Sequence, residues 1–436
     1  MIKYLRGIST FVMAGGKGER LYPLTRDRAK PAVPFGGIYR IIDFTLSNCI
    51  NSGLRRINVL TQYKSFSLAN HLKMGWNIFN SELKEHVDVI PAQQRVGEYW
   101  YRGTADAIYQ NLYTIERENS QHILILAGDH VYKMDYSKMV AFHIEKGAEV
   151  TVGVVEMPKE QSSQFGVLEV DKDGRIIGFE EKPSDPKTIP DKPGRIFASM
   201  GIYIFTKEVL FEELIPQADN EDRYDFGRDI IPQMLGRRGL FGYGFVDENL
   251  GEVPYWRDIG TLDAYYEANM DLVSVTPAFN LYDKQWPLRT YQPQFPPVKM
   301  VFADKGENAR RGEALDSVIS NGCIVSGGRV IRSVLSSQVR INSYSHVEDS
   351  VLMEAVVVGR YAKIRRAIVD KYVEILPGTT IGCDPEEDRR RFTVTDTGIV
   401  VIPKGRVVGP DNDLHRPGDY QFERMAEYNP MAPDSF

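Results

Sequence analysis

A first apolar run, Ile8 to Ala14, opens directly into Gly15-Gly16-Lys17-Gly18-Glu19-Arg20-Leu21. Glycines at these positions let backbone amides approach phosphate oxygens where a Cβ would obstruct them, and Lys17 and Arg20 add charge. Gly15, Gly16, Gly18 and Arg20 are therefore candidates for holding a phosphorylated ligand. The loop matches neither standard phosphate loop: G-x-x-x-x-G-K-[ST] is absent, and the third glycine of G-x-G-x-x-G is missing. Alone, it reads equally well as a tight strand-to-helix turn. Lys30 precedes Pro31, which pushes the lysine towards an extended backbone and a defined aim.

Two carboxylates stand where a metal ligand belongs. Asp129 follows the apolar run Ile123 to Ala127, at the carboxyl end of an expected buried strand, and Asp258 lies just before a helix expected to be capped by Thr261. Magnesium takes one or two protein carboxylates and completes its octahedron with water and substrate phosphates, so this pair suffices. Glu181-Lys182-Pro183 and Ala198-Ser199-Met200-Gly201 offer a carboxylate, an ammonium and a hydroxyl for a sugar phosphate. Thr104 reads as the N-cap of a helix over 105–117, and Tyr99-Trp100-Tyr101-Arg102 before it offers flat surfaces for a base. Asp225-Phe226-Gly227 copies a kinase triplet, but no kinase catalytic loop accompanies it; Asp225 reads as the cap of a helix beginning near Gly227.

The elements that must position these residues are legible from periodicity. From residue 1 to about 275, short apolar runs alternate with helical patterns ended by Gly53 and Gly147, which predicts βαβ units around a mostly parallel mixed sheet. Asp171-Lys172-Asp173-Gly174 predicts a hairpin between 165–170 and 176–181. Between 276 and 312, Pro277, Pro287, Pro293, Pro296 and Pro297 break the pattern, as in a linker or strap. Over 313–436 an aliphatic repeat takes over, at Val318, Ile324, Val330, then Leu335, Ile341, Val347, then Leu352, Val358, Ile364, then Val369, Ile375, Ile381. A beat of six, six and five predicts stacked three-sided coils, each side sending one aliphatic residue inward. Beyond Gly382 come a charged run, 384–391, a strand-like stretch at Gly398 to Ile402, and a tail expected to be disordered.

Composition narrows the function. A net charge of −6 argues against nucleic-acid binding, which needs a basic face. The three cysteines, Cys49, Cys323 and Cys383, form no C-x-x-C pair and suit a reducing compartment, and no stretch is long enough to span a membrane, so the expected location is the cytoplasm.

With these pieces assembled, the chain resembles the bacterial ADP-glucose pyrophosphorylases, the glucose-1-phosphate adenylyltransferases, from about residue 8 to about 402. The general nucleotidyltransferase motifs are 14–21, Lys30-Pro31 and Glu181-Lys182-Pro183. The more specific ones are Arg40-Ile41-Ile42-Asp43-Phe44, Pro91-Ala92-Gln93-Gln94-Arg95, Trp100 to Ala107, and Tyr255-Trp256-Arg257-Asp258. The resemblance implies a Rossmann-like α/β nucleotidyltransferase domain followed by a left-handed parallel β-helix used for oligomerisation and regulation. It implies a homotetramer that makes ADP-glucose and pyrophosphate from ATP and glucose 1-phosphate, for glycogen synthesis. It implies phosphate contacts for Arg20 and Lys30, and nucleotide contacts for Gly15, Gly16, Gly18, Gln93, Tyr101 and Gly103. It assigns glucose 1-phosphate to Glu181, Lys182 and Ser199, and Mg2+ to Asp129 and Asp258, with Arg20, Lys30 and Asp129 catalytic. Small-molecule allosteric effectors are also implied, but Ile38 stands where many relatives carry a lysine after Phe-Gly-Gly, so their identity does not follow. Two other readings are weaker. Acyl transfer by the coils needs a base, and His346 is expected on their outer surface; a non-catalytic paralogue would not need Arg20, Asp129, Lys182 and Asp258.

Overall fold

The computed structural model describes residues 2–95, 97–215, 224–248, 254–306, 309–410 and 413–414. Strand Ile8–Met13 lies between two parallel neighbours, Arg56–Thr61 and His122–Ala127, and His86–Pro91 extends the parallel order. Strands covered on both faces need consecutive apolar residues, and Ile123 to Leu126 supply them. Their side chains alternate. Ile123 and Ile125 pack with Phe11, Tyr203 and Phe205, while Leu124 and Leu126 pack with Val12, Ile57 and Ile204 on the opposite face. Helices Ile41–Asn51, Phe66–Gly75 and Tyr136–Glu145 cover the latter face, and Lys207–Leu214 with Ile231–Met234 the former.

The nine-stranded sheet is mixed, as expected. Its antiparallel part is organised by the long strand Arg195–Thr206, which pairs with His122–Ala127, Val150–Pro158 and Gly166–Val170. The hairpin of Gly166–Val170 with Ile176–Glu181 is present, its turn using Gly174 at φ 84°.

The helix expected over 105–117 is two helices, Thr104–Tyr109 and Leu112–Arg117. The Asn111 side chain donates to the Ala107 carbonyl (2.7 Å) and the Tyr101 hydroxyl (2.9 Å), a local alternative to continuous helix. Thr104 is not the cap: Gly103 occupies that position without a side-chain bond.

The second half is a three-sided parallel coil. Val330 pairs with Val347, Ile364 and Ile381 in turn, Leu335 with Leu352 and Val369, and Ile341 with Val358 and Ile375. These residues are buried in one column. The first coil corrects the expected register: Ile319 aligns with Leu335 and Val325 with Ile341, so the inward residues are Ile319 and Val325, not Val318 and Ile324. Strand Lys299–Val301 already pairs with Ile324–Ser326 inside the proline-rich stretch. The charged run is helix Pro385–Arg391, capped by Asp384, after which Val400–Ile402 rejoins the column with Ile402 opposite Val369. The His346 ring is partly exposed beside Glu348 on the outer face. The tail from residue 415 onward lies outside the described residues.

The halves are packed together. Leu262, Tyr265 and Tyr266 of helix Leu262–Asp271 join Val334, Val351, Ile368 and Val401 of the coil in one apolar cluster. The proline-rich strap is pinned by Thr290, which donates to buried Asp43 (2.7 Å), and by Asp283, which accepts from buried Lys133 (3.0 Å).

Candidate active site

The central strands end at one rim, and the chemistry gathers there. Gly128 passes so close to the first strand that a Cβ would lie 2.9 Å from the Met13 carbonyl oxygen, which fixes where Asp129 emerges. The chain then forms strand His130–Tyr132, antiparallel to Trp256–Asp258, with His130 opposite Asp258. This short ladder brings the two carboxylates together. Lys30 reaches between them, its Nζ 2.8 Å from Asp129 Oδ2 and 2.9 Å from Asp258 Oδ1. Thr261 caps the following helix through the Ala264 amide (3.2 Å), as expected.

The charges stabilise one another. Burial opposes ionisation of Asp129, but the Lys30 ammonium and neighbouring His130 outweigh it and hold the carboxyl down at about 2. Burial likewise opposes the Lys30 charge, and Asp129 and Asp258 outweigh it, raising the ammonium above its ordinary range. Two carboxylates share one ammonium, leaving a net negative charge. Among the described residues no cluster of three or more His, Cys, Asp or Glu side chains is arranged around a metal position. An ion here would have Asp129 and Asp258 as protein ligands and need the rest from water and phosphate, which is the donor pattern of Mg2+.

The glycine loop sits beside this cluster. Gly18 adopts φ 67°, and a Cβ there would lie 3.0 Å from Lys30 Cβ. Thr25 Oγ1 donates to the Gly18 carbonyl (2.9 Å) and fastens the loop. At Gly260 a Cβ would meet both Arg20 Nη2 and Asp258 Oδ2 at 3.1 Å, so the bare backbone leaves room for both side chains.

A cavity of about 600 Å³ runs from the loop across the rim. Gly15, Gly16, Arg20, Asp129 and Asp258 line it together with Tyr101, Gly103, Glu181, Lys182 and Ser199. A neighbouring cavity of about 540 Å³ is lined by Gly18, Lys17 and Lys30, with Gly16, Arg20 and Asp129 shared between the two. Tyr101 is held by Asn111 at its hydroxyl and by Gln62 Nε2 at its carbonyl (3.2 Å). Gly103 is required by its neighbour, because a Cβ would fall 2.3 Å from the Tyr224 carbonyl oxygen. Lys182 holds φ 50°, its Nζ 3.4 Å from Glu181 Oε1. Ser199 Oγ accepts from the Gly201 amide at 3.3 Å.

Of the candidates, Gln93, Tyr99 and Trp100 line neither cavity; Gln93 is exposed just past the edge strand His86–Pro91, and Trp100 is exposed as well. Asp225 caps the turn Phe226–Ile230 through the Gly227 and Arg228 amides, as expected, but it also lines the cleft, as do Gln62, His130, Tyr203 and Trp256. Gln62 follows the second central strand, so its place at the rim was signalled by the strand's end, and Trp256 stands in the motif that leads to Asp258; Tyr203 carried no such signal.

Residues 9–275 match the nucleotidyl transferase family, and residues 296–402 match the family described as GlmU-like, C-terminal hexapeptide. The second match identifies the three-sided coil as a left-handed parallel β-helix. A glucose-1-phosphate adenylyltransferase of Rhodopirellula baltica is 55% identical over 93% of this chain and 91% of its own length. Proteins of the same name from Koribacter versatilis and Anaeromyxobacter are 54% and 53% identical, over 90% and 92% of this chain and 94% and 98% of their own lengths.

Proposed function

The chain belongs to the nucleotidyl transferase family, among the glucose-1-phosphate adenylyltransferases, and from that membership we infer that the cleft between Gly15 and Ser199 is its active site. The reaction transfers the adenylyl group of ATP to α-D-glucose 1-phosphate, giving ADP-glucose and pyrophosphate; ADP-glucose is the glucosyl donor for glycogen.

The attacking phosphate oxygen is already anionic. Its bond to the α-phosphorus forms as the bond from that phosphorus to the bridging β-phosphate oxygen breaks, and no proton has to be removed first. The obstacle is holding two polyanions in line. In this reading Gly15, Gly16 and Gly18 hold the triphosphate by their backbone, and Arg20 and Lys30 offset its charge. Tyr101 and Gly103 receive the nucleoside, while Glu181, Lys182 and Ser199 orient glucose 1-phosphate. Gln93 is left out of the assignment. Enzymes of this kind use a divalent metal. We assign Mg2+ to Asp129 and Asp258, where it would screen phosphate charge and stabilise the departing pyrophosphate. The depressed ionisation of Asp129 suits this, since a ligand must be deprotonated to bind.

The observation that carries the assignment is the convergence of Lys30, Asp129 and Asp258 beside the glycine loop. Pyrophosphate release from ATP and glucose 1-phosphate with Mg2+ tests it; no release under any condition overturns it. The wider proposal is a cytoplasmic homotetramer under small-molecule control, neither membrane-bound nor partnered with nucleic acid. In its support, no described helix is long and apolar enough to cross a membrane, and the three cysteines are free.

A further inference from the structure

Two segments on different walls of the cleft are bound into one unit. The first, Tyr101 to Thr104, carries the residues assigned to the nucleotide and leads into helix Thr104–Tyr109; the second, Tyr224 to Gly227, carries Asp225 and lies beside Glu181, which is assigned to glucose 1-phosphate. Helix Thr104–Tyr109 begins without a side-chain cap, so its first amides need acceptors from elsewhere. The Tyr224 carbonyl provides one, accepting from Ala105 N (2.8 Å) and Asp106 N (3.3 Å). The Thr104 hydroxyl then acts in both senses, donating to Asp225 Oδ2 (3.0 Å) and accepting from Phe226 N (3.1 Å). Over this joint the Arg102 guanidinium lies between two rings, 3.9 Å from the Tyr99 centroid and 3.7 Å from that of Tyr224.

The joint also reaches the sugar wall proper. Asp225 Oδ1 accepts from Gly227 N (2.9 Å) and Arg228 N (3.1 Å), and a Cβ on Gly227 would lie 3.0 Å from Glu181 Oε2. Any displacement of Gly103 would thus reach Asp225 through the Thr104 hydroxyl, and Glu181 through Gly227.

We propose that Thr104 is a positioning residue that couples the two substrate sites, its hydroxyl making occupation of the nucleotide wall pre-align the glucose 1-phosphate wall. This rests on the assignment of the two walls given above. Ligands that favour the same arrangement of a shared element raise each other's affinity by a common factor, typically about 5- to 150-fold.

The test is calorimetric binding of glucose 1-phosphate, with Mg2+, in the absence and presence of α,β-methylene-ATP, whose carbon bridge replaces the bond that would break. The wild-type enzyme is expected to bind glucose 1-phosphate about tenfold more tightly with the analogue present. Thr104→Val keeps the side-chain shape but loses both hydrogen bonds, and its enhancement should fall below about twofold. Thr104→Ser keeps the hydroxyl and should keep the enhancement. A merely structural loss weakens both measurements alike and leaves their ratio unmoved. Wild-type independence of the two ligands overturns the proposal, as does Thr104→Val retaining the enhancement or Thr104→Ser losing it. Failure of the wild-type enzyme to bind either ligand overturns the underlying assignment of the cleft instead.

Discussion

Arg28 Nη2 lies 2.8 and 2.9 Å from the two carboxylate oxygens of Asp370, and these residues, 342 positions apart in the chain, are almost wholly buried. The pair ties the segment carrying Lys30 to the β-helix. Removing one partner strands a charge away from water, so Asp370→Asn should lower stability by about 3 kcal/mol in denaturant titration. Arg28→Met together with Asp370→Leu should recover most of that loss. A single variant as stable as the parent would show that the pair contributes nothing.

The cluster of Lys30, Asp129 and Asp258 makes a signed prediction about pH. The Asp129 carboxyl is depressed to about 2, so its contribution is complete above the ordinary aspartate value of about 3.9 and fades as pH falls through 2. Lys30 is raised, so its contribution is complete below the ordinary lysine value and fades only as pH rises beyond it. The gap in melting temperature between parent and Asp129→Asn should therefore close in strong acid, and it should stay constant from about pH 8 to 9, where imidazole is neutral and Lys30 is still charged. A gap that changes within that window contradicts the pairing.

Loss of a charge that acts mainly on the transition state lowers kcat more than it alters folding. Asp129→Ala is expected to cost about 100- to 1,000-fold in kcat with an unchanged circular dichroism spectrum. Asp258→Asn should also raise the Mg2+ concentration needed for half-maximal rate. Near-parental turnover of the alanine variant would remove Asp129 from the metal site.

Lys182 bears on substrate binding. A charge-assisted hydrogen bond to phosphate is worth about 1.5 to 3 kcal/mol, so Lys182→Ala should raise the KM for glucose 1-phosphate by about 10- to 100-fold while the KM for ATP changes little. Equal effects on both substrates would place the lysine elsewhere.

Much of the β-helix was legible because its repeat is enforced by packing, each inward residue stacking on the one below. The first coil was misread for a local reason. Val318 and Ile319 are neighbouring aliphatics, as are Ile324 and Val325, so the sequence does not say which of each pair turns inward. Gly15 to Arg20 and Asp129 were legible because apolar strands point to them. The sharing of Lys30 by Asp129 and Asp258 was not, since it depends on a three-residue ladder joining distant segments. Nor was the break at Asn111 or the double use of the Thr104 hydroxyl, where single side-chain hydrogen bonds overrule helical preference.

The β-helix also bears on how such a chain can change over generations. Between Ile381 and Val400 the backbone leaves the column, forms helix Pro385–Arg391, and resumes at the rung above Val369. A column that tolerates such an excursion has no obligatory number of storeys. It is constrained where the catalytic half stands on it, at Val334, Val351, Ile368 and Val401, one residue from each successive rung of a single side, and at the Arg28–Asp370 pair. Within that footing coils are indispensable; a coil that touches nothing of the catalytic half can be gained or lost at the cost of its own stacking alone.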